Sequence, residues 1–364
     1  MRLVEFKPMS FSDRNSLTLI AGPCSAESLE QLRTVAAFFK RWNAHSKDGM
    51  KVNALRAGVW KPRTRPGSFE GHGEKALVWL RNIKQEYGIP VATEVATAQH
   101  VALCLDYGID ILWIGARTTS NPFLMEEIAQ ALRGCSVPVW VKNPLSPDTA
   151  LWMGAIERIS RYSKGPVGAV HRGFGMYDSA PYRNAPLWEI AVEIKRLCPG
   201  MPLLCDPSHI GGKREYLLEL AQSGLDLEMD GLMMEVHPEP ERALSDKDQQ
   251  LTLPEFEGLM ERLVVRNTDT LSGKMSRIRH ILDEVDDELV QVLSRRMQLV
   301  KELGKLKRDE NFSVLQLERW NVVVARVLAN AERRGLNAGF VKQVLDCIHS
   351  EAIRLQKDIL QGKE

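Results

Sequence analysis

The sequence predicts an α/β chain in two parts, a (β/α)8 barrel followed by a small all-α domain that dimerises. Three observations predict it. Eight short apolar runs alternate with helix-sized amphipathic stretches, all 18 prolines lie at or before Pro254, and from Met275 onward the pattern is purely helical. The expected domains are 1–264 for the barrel, 265–274 for a polar linker and 275–364 for the helices.

The runs are LTLIAGPCS at 17–25, ALRAGVW at 54–60, PVATEVA at 90–96 and ILWIGAR at 111–117. They continue with PVWVKNP at 138–144, VGAVHRG at 167–173, PLLCDPSH at 202–209 and GLMMEVHP at 231–238. Each is near-continuously apolar, as expected of parallel strands buried on both faces. Eight such strands suit a closed barrel of about 250 residues. An open doubly wound sheet is the alternative, but the glycine-rich fingerprint of its nucleotide-binding form is absent. Residues 255–273 read as the last barrel helix and the linker NTDTLSG. Beyond them Ile278, Leu282, Val285, Leu289, Val292, Leu299, Leu303 and Leu306 recur in steps of three and four, a seam for helix packing. Two further helical segments, about 314–334 and 337–360, are separated at Gly335.

Composition narrows the function. With 44% hydrophobic and 26% charged residues in 364, the chain is globular and large enough for two cores. A formal net charge of +1 gives no global attraction to nucleic acid or to an anionic membrane, so any positive surface is local. No run approaches the roughly 20 apolar residues of a membrane helix. The opening MRLVEFKPMSFSDRNS lacks the apolar core of a signal peptide. Cys24, Cys104, Cys135, Cys198, Cys205 and Cys347 show no paired spacing, which suits reduced thiols and a cytoplasmic protein.

Catalytic groups of such barrels sit at the carboxyl ends of the strands. Arg56 and Lys61 follow strand two, Arg117 ends strand four, Lys142 strand five and Arg172 strand six, with Arg63 and Thr64 just beyond Lys61. A nearly neutral chain has gathered cations at one rim, which suits small substrates carrying phosphate and carboxylate. Strands seven, eight and one become neighbours on closure and end in His209, Glu235 and Cys24, and Asp246 follows in the loop after strand eight. These four make a mixed N/O/S site for one divalent transition metal ion, manganese, iron, cobalt or zinc. Glu94, ending strand three, reads as a proton-transfer or water-orienting group, or as one arm of a structural ion pair.

The motifs GPCSAES at 22–28, KPRT at 61–64, IGAR at 114–117, HRG at 171–173, DPSH at 206–209 and MEVHP at 234–238 resemble 3-deoxy-D-arabino-heptulosonate 7-phosphate synthase. The branch is the one close to 3-deoxy-D-manno-octulosonate 8-phosphate synthase. KPRT points to the heptulosonate enzyme rather than its sister. The resemblance implies condensation of phosphoenolpyruvate with erythrose 4-phosphate. It assigns Cys24, His209, Glu235 and Asp246 to the metal, Arg56, Lys61, Arg117, Lys142 and Arg172 to phosphoenolpyruvate, and Arg63 and Thr64 to the sugar phosphate. VKNP at 141–144 departs from the KRG or KKG more usual there.

In the tail, Arg296 falls among the seam positions, and a charge in a packing stripe calls for an anionic partner. Lys307, eleven residues on, returns to nearly the same side at about 100° per residue. Arg279 lies roughly 25 Å from Arg296 along one straight helix, so both reach one small ligand only if Arg279 comes from a second chain. The stretch LDEVDDELVQVLSRRMQLVKELGKLK at 282–307 resembles the all-helical chorismate mutases. That resemblance implies chorismate binding by Arg279, Arg296, Lys307, Arg319 and Gln356, with Arg296, Lys307 and Gln356 catalytic. Gln316, Trp320 and Ala352 depart from the family, which has acidic residues at the first two and a serine at the third. The expected whole is a bifunctional homodimer joined through the helices, with the tail restraining the barrel when prephenate or chorismate is bound. A non-catalytic ligand-binding tail, or an octulosonate-forming barrel, is the alternative.

Overall fold

The computed structural model describes residues 17–46, 50–63, 67–177, 179–266 and 273–363. The chain divides into two units, Met1–Asn267 and Thr268–Glu364. Most of the expected linker, and Thr64, lie outside the described residues.

In the first unit eight strands form a closed barrel: β1 (Thr18–Gly22), β2 (Val52–Arg56), β3 (Val91–Val95), β4 (Ile111–Ile114), β5 (Val139–Lys142), β6 (Val167–His171), β7 (Leu203–Cys205) and β8 (Gly231–Glu235). Every neighbouring pair is parallel and β8 returns to β1, so the open sheet is excluded. Around them run α1 (Leu29–His45), α2 (Glu74–Tyr87), α3 (Ala98–Asp106), α4 (Ala116–Thr119), α5 (Pro122–Ala131), α6 (Thr149–Tyr162), α7 (Trp188–Leu197), α8 (Pro207–Gly211), α9 (Leu217–Asp226) and α10 (Leu253–Arg262). Several of the helices start where a side chain satisfies a free amide. Ser28 accepts from the amide of Gln31, Asp148 from that of Leu151, and Thr252 with Glu255 forms a capping box ahead of α10.

Successive strand side chains point to opposite faces. One set meets the helices in the large outer core; the other fills the barrel with Ile20, Ala54, Ala92, Ile111, Trp113, Trp140, Val170, Leu204 and Met233. Trp113 and Trp140 occupy much of that interior, and opposite them Gly168 leaves space that a β-carbon would take from the Trp140 ring. The barrel is a packed core rather than a pore.

The second unit holds α11 (Gly273–Asp309), α12 (Leu317–Arg333) and α13 (Ala338–Leu360), close to the three expected segments. Both α11 and α12 pack on α13. The contact uses a different face of α11 from the expected seam, and Arg296, expected among the seam residues, lies on that other face. Ile278, Leu282, Val285, Leu289, Val292, Leu299, Leu303 and Leu306 are all exposed, whereas Leu293, Arg296, Met297, Val300, Gly304 and Lys307 are partly or fully buried. Gly304 lets the helices approach: a β-carbon there would stand 3.1 Å from Ile359 and 3.2 Å from Gln356. Periodicity found an apolar stripe, but the stripe is not what holds this chain to itself.

Candidate active site

The barrel rim follows from strand parity. Two residues beyond the inward-facing Ala54, Ala92, Trp140, Val170, Leu204 and Met233 stand Arg56, Glu94, Lys142, Arg172, Asp206 and Glu235. The same step from Ile20 and Trp113 leads to Gly22 and Gly115. A layer of apolar side chains is thus capped by a layer of charges, and the two glycines make room in it. A β-carbon on Gly22 (φ 148°) would collide with the Arg56 carbonyl, and one on Gly115 with Glu94 Oε1.

Within this layer the charges pair. Arg56 Nη2 donates to Glu235 Oε1 at 2.9 Å with both side chains almost wholly buried, and the guanidinium lies 4.8 Å from the Trp113 ring centre. Lys142 Nζ donates to Asp206 Oδ2 at 2.6 Å. Glu235 also accepts from Gln249 Nε2 at 2.7 Å, and Trp113 Nε1 donates to Glu94 at 3.2 Å. Burial disfavours the Asp206 carboxylate, but His209 and Lys142 outweigh it and hold its pKa well below the usual range. Burial lowers Lys142 and brings Arg172 down to about 10.

Above the pairs lies a cavity of about 390 Å³. Of the sequence-predicted residues, Lys61, Arg63, Arg117, Lys142, Arg172, Glu94, His209 and Asp246 line it. Arg56 is sealed beneath, in contact with Glu235 and Trp113 rather than lining the cavity. Arg63 is turned back by its bond to the Phe69 carbonyl, at 2.7 Å. Arg172 donates to Asn184 Oδ1 at 2.9 Å, and its amide donates to Asn143 Oδ1 at 2.7 Å. Asn143, the departure within VKNP, is fully buried and also donates to the carbonyl of Gly173. It therefore ties the β5 and β6 ends together.

The four expected ligands stand in two close pairs. Cys24 Sγ lies 3.2 Å from Asp246 Oδ2, and His209 Nε2 lies 3.8 Å from Glu235 Oε1. Among the described residues no group of three or more His, Cys, Asp and Glu side chains is arranged to hold a metal ion as it stands. The donor chemistry nevertheless fits one. His209 Nδ1 lies 2.8 Å from Asp206 Oδ2, the carboxylate–imidazole arrangement that orients Nε2 as a ligand. The cation at this donor set is a lysine: Lys61 Nζ donates to Cys24 Sγ at 3.0 Å and to the Cys24 carbonyl at 3.2 Å. Burial pushes the Cys24 thiol up to about 12, with the Glu235 carboxylate adding to the rise. Asp246 is held below the usual carboxylate range against its burial, chiefly by Lys61 and His209.

Several participants were not read from the sequence. Asp206 shares the inward parity of Leu204, and that signal was available. Arg183, which lines the cavity and donates to Asp246 Oδ1 at 3.0 Å and Gln249 Oε1 at 2.7 Å, comes from an irregular loop with no periodicity to reveal it.

In the helical unit, Arg296, Lys307 and Gln356 turn toward the α11–α13 contact. Arg279 and Arg319 are exposed. Arg296 Nη1 and Gln356 Oε1 are buried without a hydrogen-bond partner, while Lys307 Nζ donates to the Val314 carbonyl at 2.6 Å. Trp320 stacks on His349 with ring centres 3.7 Å apart, and burial, then the charge of Arg296, lowers the His349 pKa. Ala352 is buried, and its carbonyl accepts from Gln356 Nε2 at 3.3 Å.

Residues 7–271 match the DAHP synthetase I family. The chain belongs to that family. Residues 278–357 match chorismate mutase type II, so the synthase-family barrel is followed by a mutase-family helical domain. A phospho-2-dehydro-3-deoxyheptonate aldolase of Thermotoga maritima is 35% identical over 246 residues, 68% of either chain. A 2-dehydro-3-deoxyphosphooctonate aldolase of Methylobacterium radiotolerans is 27% identical over 280 residues, 72% of this chain and 93% of that one. The crystal structure of the Thermotoga maritima aldolase (DAHP synthase) matches with a TM-score of 0.61 at 32% identity, over 71% of this chain and 72% of that one. A truncated 3-deoxy-D-arabino-heptulosonate 7-phosphate synthase from the same organism matches at 0.59 and 28%, over 76% and 94%.

Proposed function

We propose that the barrel joins phosphoenolpyruvate, D-erythrose 4-phosphate and water into 3-deoxy-D-arabino-heptulosonate 7-phosphate and phosphate, the first step of the shikimate pathway. The observation that carries this is one cavity lined by Lys61, Arg117, Lys142 and Arg172 above a layer of paired interior charges. Two phosphorylated anions repel each other in water; a wall of fixed cations holds them side by side, so orientation and electrostatics supply much of the rate. Lys142 and Arg172 are anchored by Asp206 and Asn184 and need no reorganisation to receive an anion. C3 of phosphoenolpyruvate attacks the aldehyde carbon, and the carbonyl electron pair moves to oxygen. Water then adds at the cationic C2, and the carbon–oxygen bond to phosphate breaks. Lys61 stays protonated because Cys24 and Glu235 outweigh the effect of its burial. It is the cavity donor for oxygen atoms gaining negative charge. Glu94, beside Trp113 at the cavity wall, accepts from the attacking water.

Cys24, His209, Glu235 and Asp246 would hold one divalent ion, manganese, iron, cobalt or zinc. Bound there it supplies Lewis acidity toward the aldehyde oxygen. Arg63 and Thr64 take the sugar phosphate. Turnover of erythrose 4-phosphate, compared with arabinose 5-phosphate and repeated after chelation, tests both substrate and metal. Preference for the pentose phosphate overturns the substrate reading, and full activity after exhaustive chelation overturns the metal.

The helical domain rearranges chorismate to prephenate in this reading. Arg296 Nη1 and Gln356 Oε1, buried and unpartnered, together with Lys307, mark where a dicarboxylate and its ether oxygen bind. Arg279 is seventeen residues from Arg296 on the same helix, so it completes the site from a second chain, and the exposed apolar face of α11 is the dimer contact. Prephenate formation by the full chain tests the catalysis. Prephenate bound at this site restrains the barrel, so added prephenate lowers heptulosonate formation; unchanged synthase activity at saturating prephenate overturns that. The six free cysteines fit a cytoplasmic setting. No described helix is long and apolar enough to cross a membrane.

A further inference from the structure

We propose that Lys61 is an exchangeable occupant of the metal position, in contact with the Cys24 sulfur until a divalent ion replaces it and then moving to the phosphorylated substrate. The proposal rests on the metal reading given above and adds an order of events to it. Lys61 Nζ donates to both Cys24 Sγ and the Cys24 carbonyl, at 3.0 and 3.2 Å. The same side chain lines the cavity beside Arg117, Lys142 and Arg172. A single ammonium cannot stay in contact with the sulfur and meet an incoming phosphate at once, so the two positions compete.

The surroundings are shaped for the first position. Gly58 carries no side chain where a β-carbon would come 3.2 Å from Lys61 Cδ and 2.9 Å from the Cys24 carbonyl, so the lysine chain folds beneath Cys24. The other cavity cations are tied elsewhere, Lys142 to Asp206, Arg172 to Asn184 and Arg183 to Asp246. Lys61 is thus the cavity cation in contact with the sulfur. An ion bound through Cys24 needs the sulfur lone pairs that Lys61 now engages, and two cations at that distance repel. Loading the ion therefore releases the Cys24 thiol proton to solvent as the sulfur becomes a ligand, and expels the ammonium toward the cavity, where the next anion binds it. By linkage, whatever draws Lys61 into the cavity tightens the ion by the same factor that the ion tightens the anion.

Cobalt(II) binding, followed by the sulfur-to-metal absorption band that reports Cys24 ligation, tests the exchange without measuring turnover. In the unaltered protein, phosphoenolpyruvate is expected to tighten Co2+ about tenfold. In Lys61→Met, Co2+ binds about tenfold tighter than in the unaltered protein, and phosphoenolpyruvate no longer changes it. Arg172→Met removes a cavity cation away from the sulfur and leaves Co2+ affinity within about twofold. Equal Co2+ affinity with and without Lys61, retained coupling in Lys61→Met, or an equal gain in Arg172→Met each overturns the exchange. Should Lys61→Met fail to fold, absence of coupling in the unaltered protein overturns it as well. A protein that shows no sulfur-to-cobalt band at any concentration overturns the metal reading itself, a separate failure.

Discussion

The rim of the barrel and the helical unit treat charge and apolar surface in opposite ways. At the rim, ionised groups are buried and partnered, Arg56 with Glu235 and Lys142 with Asp206, over a closed apolar core. In the helical unit the apolar residues of α11 are exposed, and Arg296, with a buried unpartnered nitrogen, makes no ion pair among the described residues. The first region closes its apolar core and pairs its main charges within one chain, although Arg56 Nε and Nη1 also stay buried without a hydrogen-bond partner. The second has surface left to cover and polar capacity left to satisfy. A site for small anions can be finished by one closed barrel, whereas three helices are too few to bury two faces of a 37-residue helix.

The sharpest test of that contrast removes one arginine from each region. Arg56→Met leaves Glu235 buried beside a methionine and is expected to cost the barrel about 3–5 kcal/mol in chemical denaturation. Arg296→Met removes a group with an unpartnered nitrogen and should change stability by less than about 1 kcal/mol, while prephenate formation falls by about 10²-fold or more. Equal costs in the two regions would dissolve the comparison. Cys24→Ala should lose bound metal together with about 10³-fold in synthase turnover, leaving prephenate formation intact. Metal analysis and the two assays on one preparation check it.

Leu289→Glu places a charge in the exposed face of α11 and is expected to weaken self-association at least ~100-fold, read by sedimentation velocity. The barrel's reaction should survive in the resulting monomer. A smaller effect comes from pH. His171 is enclosed by Trp152, Phe174 and Trp188, and burial lowers its pKa from 6.5 to about 4. Between those values the unfolded chain holds the additional proton, so barrel stability falls as pH drops below 6.5, by about 1.4 kcal/mol per unit at most, and His171 adds no slope above it. Replacing His171 with Gln should flatten that window in denaturation series. Smallest of all, the exposed Lys342–Asp346 pair on α13 is expected to contribute no more than about 0.5 kcal/mol when Lys342 becomes Ala.

Much of the rim was legible because its charges stand at the ends of predicted strands, and the structure adds that parity aims them inward. Arg56, Lys142, Arg172 and Glu235 follow inward core residues by two positions, and His209 sits three after Asp206 in a short helix. Asp206 obeys the same parity and could have been found that way. Arg183 and Gln249 could not, since loops carry no period. Nor did the sequence show that Arg56 lies below the cavity floor, or that Lys61 reaches the Cys24 sulfur, because both depend on how far a side chain extends after closure.

By itself the sequence determined the eight parallel strands, the helical tail, the family of each part and the side of the barrel that carries chemistry, since these follow from periodicity and from motifs written along the chain. Only the tertiary structure decided which charges pair, which cation touches the thiol and which face of α11 the chain covers. Those outcomes depend on distances between residues as far apart as Arg56 and Glu235, 179 positions in sequence. An apolar stripe states that something must be buried, and three-dimensional packing alone selects the partner.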